Sequence, residues 1–357
     1  MFSHNGMISG RQMRRILSLS VFSGSIFVLP YLFACMFGDS FVTGIIIFFI
    51  MSALYVGLVF FTGRSRIGRG ALEEKNNACI RVETAVFIVR YIIRLIFYIV
   101  LAVAILCEGQ VPFTDKGEGN SFGNLIVLLP LLIVAYYGSN RNLEKQGRIN
   151  EMIFWTAFFP YVIMIFFGLR EMDYSVLIPH GGVSLDVLIR CYALLTFIVP
   201  VEIYPQLKLN TEKKEKSEGY ISVLLMVILV SAISIIIAGI YGLNGMAEEP
   251  MVSVAIMRYI ELPLGVLQRF DMLMVWFFMT GVFAVISGLL FRIRKQLFKV
   301  VSKEMGEIIL FVIVIASLFV CRCLPEYAVT LDSFVVYGAF VDVPLSVLAM
   351  VLNGVKR

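Results

Sequence analysis

Stretches of about twenty apolar residues, separated by short polar segments, recur along the whole length of this chain. Each is long enough to cross the hydrocarbon core of a bilayer as a helix. They predict ten spans, at positions 11–36, 40–61, 84–107, 122–138, 150–168, 185–206, 219–242, 270–290, 305–322 and 331–352. No polar gap is long enough for a soluble domain, so residues 1–357 read as one integral membrane domain. Any function is expected among the helices and their short connections, with membrane lipid around them.

Composition agrees with that pattern. Apolar residues make up 59% of the chain and charged residues 15%, with a mean hydropathy of +0.90. A soluble domain is nearer half apolar and a quarter charged. The connections alternate in charge. Arg11, Arg14 and Arg15 precede the first span, and the segments 62–83, 139–149, 207–218 and 291–304 and the C-terminal tail are basic as well. Together they hold 22 of the 30 Lys and Arg residues. The intervening segments carry Asp39, Glu108, Asp115, Glu118, Glu171, Asp173, Glu248, Glu249 and Glu326. Cytoplasmic loops are the Lys/Arg-rich ones, so both termini are expected in the cytoplasm. The net charge of +5 therefore belongs to membrane orientation, not to nucleic-acid binding. The first apolar run exceeds a signal-peptide core and has no small-residue cleavage site, which predicts a retained helix. The segment 62–83 contains a weakly amphipathic stretch expected along the inner surface.

An even number of spans with both ends on one side splits into two sets of five with opposite orientation. That is the arrangement of an inverted repeat, with a midplane site between discontinuous helices. Here the repeats would cover about 11–168 and 185–352. Its test is whether spans one and six are both interrupted. Span one holds Ser23-Gly24-Ser25 and Pro30, and span six holds Phe197-Ile198-Val199-Pro200, then Tyr204-Pro205. Proline removes a backbone donor and clashes with the preceding turn, while glycine loosens the helix. In lipid the freed groups must bond within the protein or to a ligand. Breaks are therefore expected in both spans.

Ionisable residues inside spans are costly, about 2.5–3.5 kcal/mol each at a helix centre, and usually face a bundle interior or a pathway. Asp342 is near the middle of the last span and Glu202 is in the inner half of span six. Arg90 and Arg94 are one turn apart on one face of span three, roughly 9 and 15 Å from its inner end at the helical rise. Glu202 lies at a depth similar to Arg90, so an inner lock between Glu202 and these arginines is expected. Asp186 and Arg190 are spaced as a local surface pair. Among the many aromatic residues, Tyr98 and Phe197 are candidates to line a pocket. The six cysteines are scattered at mostly apolar positions, and His4 and His180 are isolated, so neither a metal site nor another cofactor is expected. No nucleotide-binding loop or nucleophile triad occurs, and the chain is not expected to be an enzyme.

The stretch Ser23–Pro30, SGSIFVLP, resembles the GSGIFVLP-type segment in the first helix of amino acid–polyamine–organocation permeases. Ser23 and Ser25 stand where that segment has its flanking glycines. Gly242, Pro250, Arg258, Ile260 and the run Leu267-Gln268-Arg269-Phe270-Asp271-Met272-Leu273 resemble the loop-and-helix signature of endospore germination permeases, the B subunits of germinant receptors. Gln268 replaces their usual glutamate, and the ending Val343-Pro344-Leu345 with a short basic tail also fits. The resemblance implies an all-α fold of ten transmembrane helices, a LeuT-like five-plus-five inverted repeat with helices 1 and 6 discontinuous. It also implies partner A and C subunits in the inner membrane of a spore. The expected function is a germinant-sensing subunit that binds a small nutrient, an amino acid or similar compound, between helices 1 and 6. The expected ligand-binding residues are Ser23, Gly24, Ser25, Ile26, Tyr98, Phe197, Val199 and Pro200, with a half-helix end near Ser23–Ser25 offering backbone dipoles. Arg90, Arg94, Glu202 and Asp342 would act in coupling or gating, and Pro250, Arg269 and Asp271 mark the family. The alternative is a proton-coupled amino-acid permease in which Asp342 or Glu202 carries the proton.

Overall fold

The structure, a computed structural model, describes residues 7–65, 77–108, 121–140, 142–178, 182–211, 218–256, 270–323 and 327–348. Among them, regular structure is helical apart from a single parallel bridge between Ile8 and Thr211. The helices are α1 (Gly10–Phe37), α2 (Phe41–Ser65), α3 (Asn77–Glu108), α4 (Ser121–Ser139), α5 (Leu143–Glu171), α6 (Leu185–Leu194), α7 (Tyr204–Leu209), α8 (Glu218–Glu248), α9 (Val252–Ala255), α10 (Phe270–Leu297), α11 (Lys303–Cys323) and α12 (Tyr327–Tyr337). Two short 3-10 turns, Leu195–Phe197 and Val199–Ile203, join α6 to α7, and a π-turn, Gly338–Asp342, continues α12.

Helix α1 starts on a capping box, in which the Ser9 hydroxyl accepts from Gln12 N at 3.3 Å and Gln12 Oε1 accepts from Ser9 N at 3.1 Å. Every residue from Ile16 to Pro30 is buried. A helix apolar on all sides has no solvent face to keep, and this one runs through the centre. It packs chiefly on α8, which also meets α2, and α2 meets α6. A second group forms around α10, against α3 and α4, with α11 on α3. Helix α5 touches both groups, and α12 reaches α3 and α6. Large apolar side chains such as Phe166, Trp155 and Phe319 face outward, as a lipid-embedded surface requires.

Among the described residues, six segments are long and apolar enough to cross a membrane: 10–62, 84–108, 143–171, 219–248, 275–297 and 327–348. The bent α6–α7 pair, counted as one span, makes a seventh. The protein is an integral membrane protein of at least this many apolar segments. The end of the bundle where α1 begins carries Arg11, Arg15, Arg148 and Lys208, and is called the basic end below. There the chain is stitched together by Ile8 N donating to Asn210 O at 2.9 Å, by an Arg11–Glu151 ion pair, and by Arg15 lying 3.7 Å from the Phe154 ring centroid.

Two connections expected to be loops are in fact helical. Helix α5 begins at Leu143, not near 150, because Glu144 and Arg148 form an i,i+4 pair at 2.5 Å that supports its first turns. Helix α10 runs on to Leu297, so Arg292 and Arg294 are helix residues facing protein. Arg294 is buried, donating to Ser139 Oγ and Glu307 Oε2 at 2.8 Å each. At the other end of α8, Gly242 adopts φ 72° and ψ 157°, which glycine tolerates, and turns the chain toward α9. The amphipathic stretch expected within 62–83 falls largely outside the described residues.

Candidate functional site

Helix α1 carries Gly24 and its one proline, Pro30, without breaking. The expected interruption at Ser23–Ser25 is absent: the helix is continuous from Gly10 to Phe37, and no half-helix end offers free amides there. Serine costs a helix less than glycine, so replacing two glycines by Ser23 and Ser25 favours continuity. The Ser25 hydroxyl folds back onto Val21 O at 2.7 Å, within the helix. Pro30 has no N–H, which strands the carbonyl four residues earlier, that of Ile26. Ser253 of α9, wholly buried, donates its hydroxyl to that oxygen at 2.6 Å. The defect is repaired from outside the helix.

Span six does break. The pair 185–197 and 199–208 is bent by 48°. Pro200 leaves Thr196 O without its helical donor, by the same arithmetic. Here the replacement donor is a charge: Arg94 Nη2 reaches Thr196 O at 3.1 Å. A Cβ on Gly338 would collide with the Thr196 side chain, so glycine at that position lets the π-turn of α12 close on the bend. π-turns often mark functional positions, and this one aims Asp342 inward.

Around the bend the expected charges come together. Arg90 Nε donates to Asp342 Oδ1 at 2.7 Å, and its Nη2 reaches Asp342 O and Glu202 Oε2 at 3.2 Å each. Arg94 Nε donates to Asp342 Oδ2 at 2.9 Å, and Arg94 Nη2 also contacts that oxygen. Asp342 is wholly buried, and Arg90 and Arg94 are nearly so. Buried charges persist when paired and hydrogen-bonded, and both guanidinium groups meet that condition. The network joins α3, from one helix group, to the bend of the other, through α12. The closest tie to Glu202 is from Arg90; Arg94 is engaged with Asp342 and the backbone.

The remaining candidates are spread along the same layer. Gly24 faces α3, and a Cβ there would run into the Tyr98 hydroxyl. Among the described residues, Ser23 Oγ, 2.8 Å from where a Gly281 side chain would begin, has no hydrogen-bond partner, and neither has Thr196 Oγ1. Phe197 is tilted against Phe97 and Phe334, with ring centroids 6.1 and 5.9 Å away. Val199 and Pro200 are buried in the second turn of the bend. Asp186 and Arg190 form their local pair at 2.7 Å, both partly exposed. Pro250 is partly buried before α9. Arg269 and the Asp271 side chain lie outside the described residues. Sequence reasoning missed Ser253, Thr196 and Gly338. Counting four residues back from each proline would have found the stranded carbonyls, but not their donors.

Residues 121–326, more than half of the chain, match the family described as spore germination protein. Among solved structures, MHP1 is similar, a nucleobase-cation-symport-1 family transporter in a closed conformation with bromovinylhydantoin bound. The TM-score is 0.52 at 13% identity, over 92% of this chain and 75% of that one. At that identity the likeness, to a LeuT-fold permease, is one of fold. No curated protein matches.

Proposed function

Since the chain belongs to the spore germination protein family of membrane permeases, we propose that it is the nutrient-sensing subunit of a germinant receptor. A small nutrient, of amino-acid type, binds between α1 and the α6–α7 bend, and the change is passed to partner A and C subunits. The observation that carries this reading is the bend itself, held by Arg94 of the other helix group, which Asp342 fixes in place. A ligand competing for Thr196 or displacing the Tyr98 hydroxyl beside Gly24 loosens that hold and shifts the equilibrium between conformers. Support also comes from the orphaned hydroxyls of Ser23 and Thr196, since buried polar atoms without partners call for an explanation and α1 touches the Leu195–Phe197 turn. With α1 continuous, its contribution is the Ser23 side chain, while Ile26, Phe197, Val199 and Pro200 shape the wall.

On this reading the basic end faces the cytoplasm with both termini, in the spore inner membrane. The ten spans form two inverted sets of five, about 11–168 and 185–352, of which only the second has its first helix broken. The test is a nutrient screen by thermal stabilisation of the purified chain. A stabilising amino acid whose effect disappears in Gly24→Leu is the expected result, and no stabilising nutrient would overturn the binding role. Reconstituted in vesicles, the protein should show no concentrative, pH-driven uptake; such flux would replace the receptor by a proton-coupled permease.

A further inference from the structure

Near the basic end, Arg292 of α10 is half-buried and lines a small cavity of about 10 Å³ with Ser20 of α1 and Gln146 and Asn150 of α5. The last two are only 5% and 4% exposed. A side chain begun on Gly288 would stand 3.4 Å from Gln146 Nε2 and 3.7 Å from Arg292 Nη2. Nitrogens from two different helices thus flank the space left open at Gly288. Among the described residues neither finds an acceptor there. Asn150 Nδ2 and the Ser20 hydroxyl are already bonded within their own helices, to Gln146 O and Leu17 O. Glu202, the carboxylate on the bend, is bonded to Arg90.

The neighbouring charges point the same way. Both carboxylates of the network at the bend, Glu202 and Asp342, are already bonded to Arg90 and Arg94, so neither is free to pair with Arg292. A guanidinium shielded in part from water and bonded to no carboxylate among the described residues favours an anion beside it. We propose that Arg292 and Gln146 form a site for a small monovalent anion, either a free halide or a carboxylate group. The guanidinium supplies charge and a fork of donors, the Gln146 amide a further donor, and Gly288 the space. The cavity as it stands admits one water-sized species. A carboxylate enters when α1 parts from α5, which the Arg11–Glu151 pair and the stacking of Arg15 on Phe154 oppose. The site does not depend on which nutrient binds at the bend, or on whether any does.

The test is the melting temperature of the purified full-length chain in detergent, with sodium isethionate replaced stepwise by chloride or by acetate at constant ionic strength. A saturable rise is expected; a rise in chloride alone assigns a halide, and one in acetate assigns a carboxylate group. Arg292→Gln should melt higher than the parent without the anion, because an unpaired charge is gone, and should lose the anion-dependent rise. Arg292→Lys should retain the rise at an affinity at least tenfold weaker. Gly288→Ala leaves every charge in place and meets its neighbours at ordinary contact distances, so it should fold and lose the rise. The absence of any saturable rise in the parent would overturn the proposal. So would a rise unchanged in both Arg292→Gln and Gly288→Ala, or an anion-free Arg292→Gln that melts below the parent.

Discussion

Helix α1 and the α6–α7 segment meet the same backbone problem and solve it differently. In each, a proline strands the carbonyl four residues before it: Ile26 for Pro30, Thr196 for Pro200. In α1 a neutral hydroxyl, Ser253, supplies the missing donor at 2.6 Å, and the helix stays whole. In α6–α7 a guanidinium, Arg94, supplies it at 3.1 Å, and the helix bends by 48°. A proline therefore does not dictate a break; the outcome depends on the other residues nearby and on what stands opposite the stranded oxygen. Ser253 hangs on a four-residue helix between α8 and α10, whereas Arg94 is fixed in the middle of α3. The first repair adds no charge to the core. The second imports a positive charge, which brings Asp342 and then Arg90 and Glu202 with it.

The largest effect expected from this contrast is at Asp342. Asp342→Ala deprives two buried arginines of their shared carboxylate, and breaking a buried pair in this way costs about 3–5 kcal/mol. Thermal unfolding in detergent should show that loss, with the purified yield falling alongside it. Glu202→Gln should cost distinctly less, because the Glu202 side chain is 13% exposed and Arg90 keeps Asp342. Equal losses for the two variants would mean that the charge at the bend is not organised around Asp342.

The repair of α1 should be cheaper to remove and simple to restore. Ser253→Ala leaves Ile26 O buried without a donor, a penalty of about 1–3 kcal/mol. Pro30→Ala returns an N–H to that oxygen from within the helix. The double variant should therefore be more stable than Ser253→Ala alone, which a double-mutant cycle on melting free energies measures. Additive losses would show that Ser253 matters for the packing of α9 and not for the carbonyl.

Much of this was legible in the sequence, though unevenly. Apolar run length placed the helices well, because the bilayer requirement acts on each segment separately. The tie between Arg90 and Glu202 followed from the cost of charge in a span, with depth along the helix as a guide, whereas the part of Asp342 in holding both arginines did not. The continuity of α1 was misread because Gly24 and Pro30 were weighed as local breakers, while the deciding donor, Ser253, lies more than two hundred residues away. Arg292 and Arg294 were misread for the opposite reason. A cluster of basic residues at a span's end looks like a loop, and only packing shows that Arg294 meets Glu307 and Arg292 turns inward. Turn-scale features such as the π-turn at Gly338 left no periodic signal to read.

A smaller effect is expected where α1 meets α3. Gly24→Ala sets a methyl against the Tyr98 hydroxyl, an overpacking of about 1–3 kcal/mol. Tyr98→Phe in the same chain removes the colliding oxygen and should recover part of the loss in melting temperature. If Tyr98→Phe recovers nothing, the strain lies elsewhere along α1.

The smallest effect bears most directly on why α1 stays whole. Ser23→Gly with Ser25→Gly restores glycine on both sides of Gly24 and should lower stability by about 0.5–1 kcal/mol, through the poorer helix propensity of glycine. The loss of stability matters less than where the helix loosens. Amide hydrogen exchange should quicken across residues 23–27 and remain unchanged in α8, which packs along the same helix. Ser25→Ala, by contrast, removes a hydroxyl bonded only to its own helix at Val21 O, and should leave exchange in this stretch as it is. If the double glycine variant exchanged no faster than Ser25→Ala, the serines would not be what holds α1 together. Continuity would then rest on the Ser253 repair of Ile26, and α1 would differ from the α6–α7 bend in its donor alone.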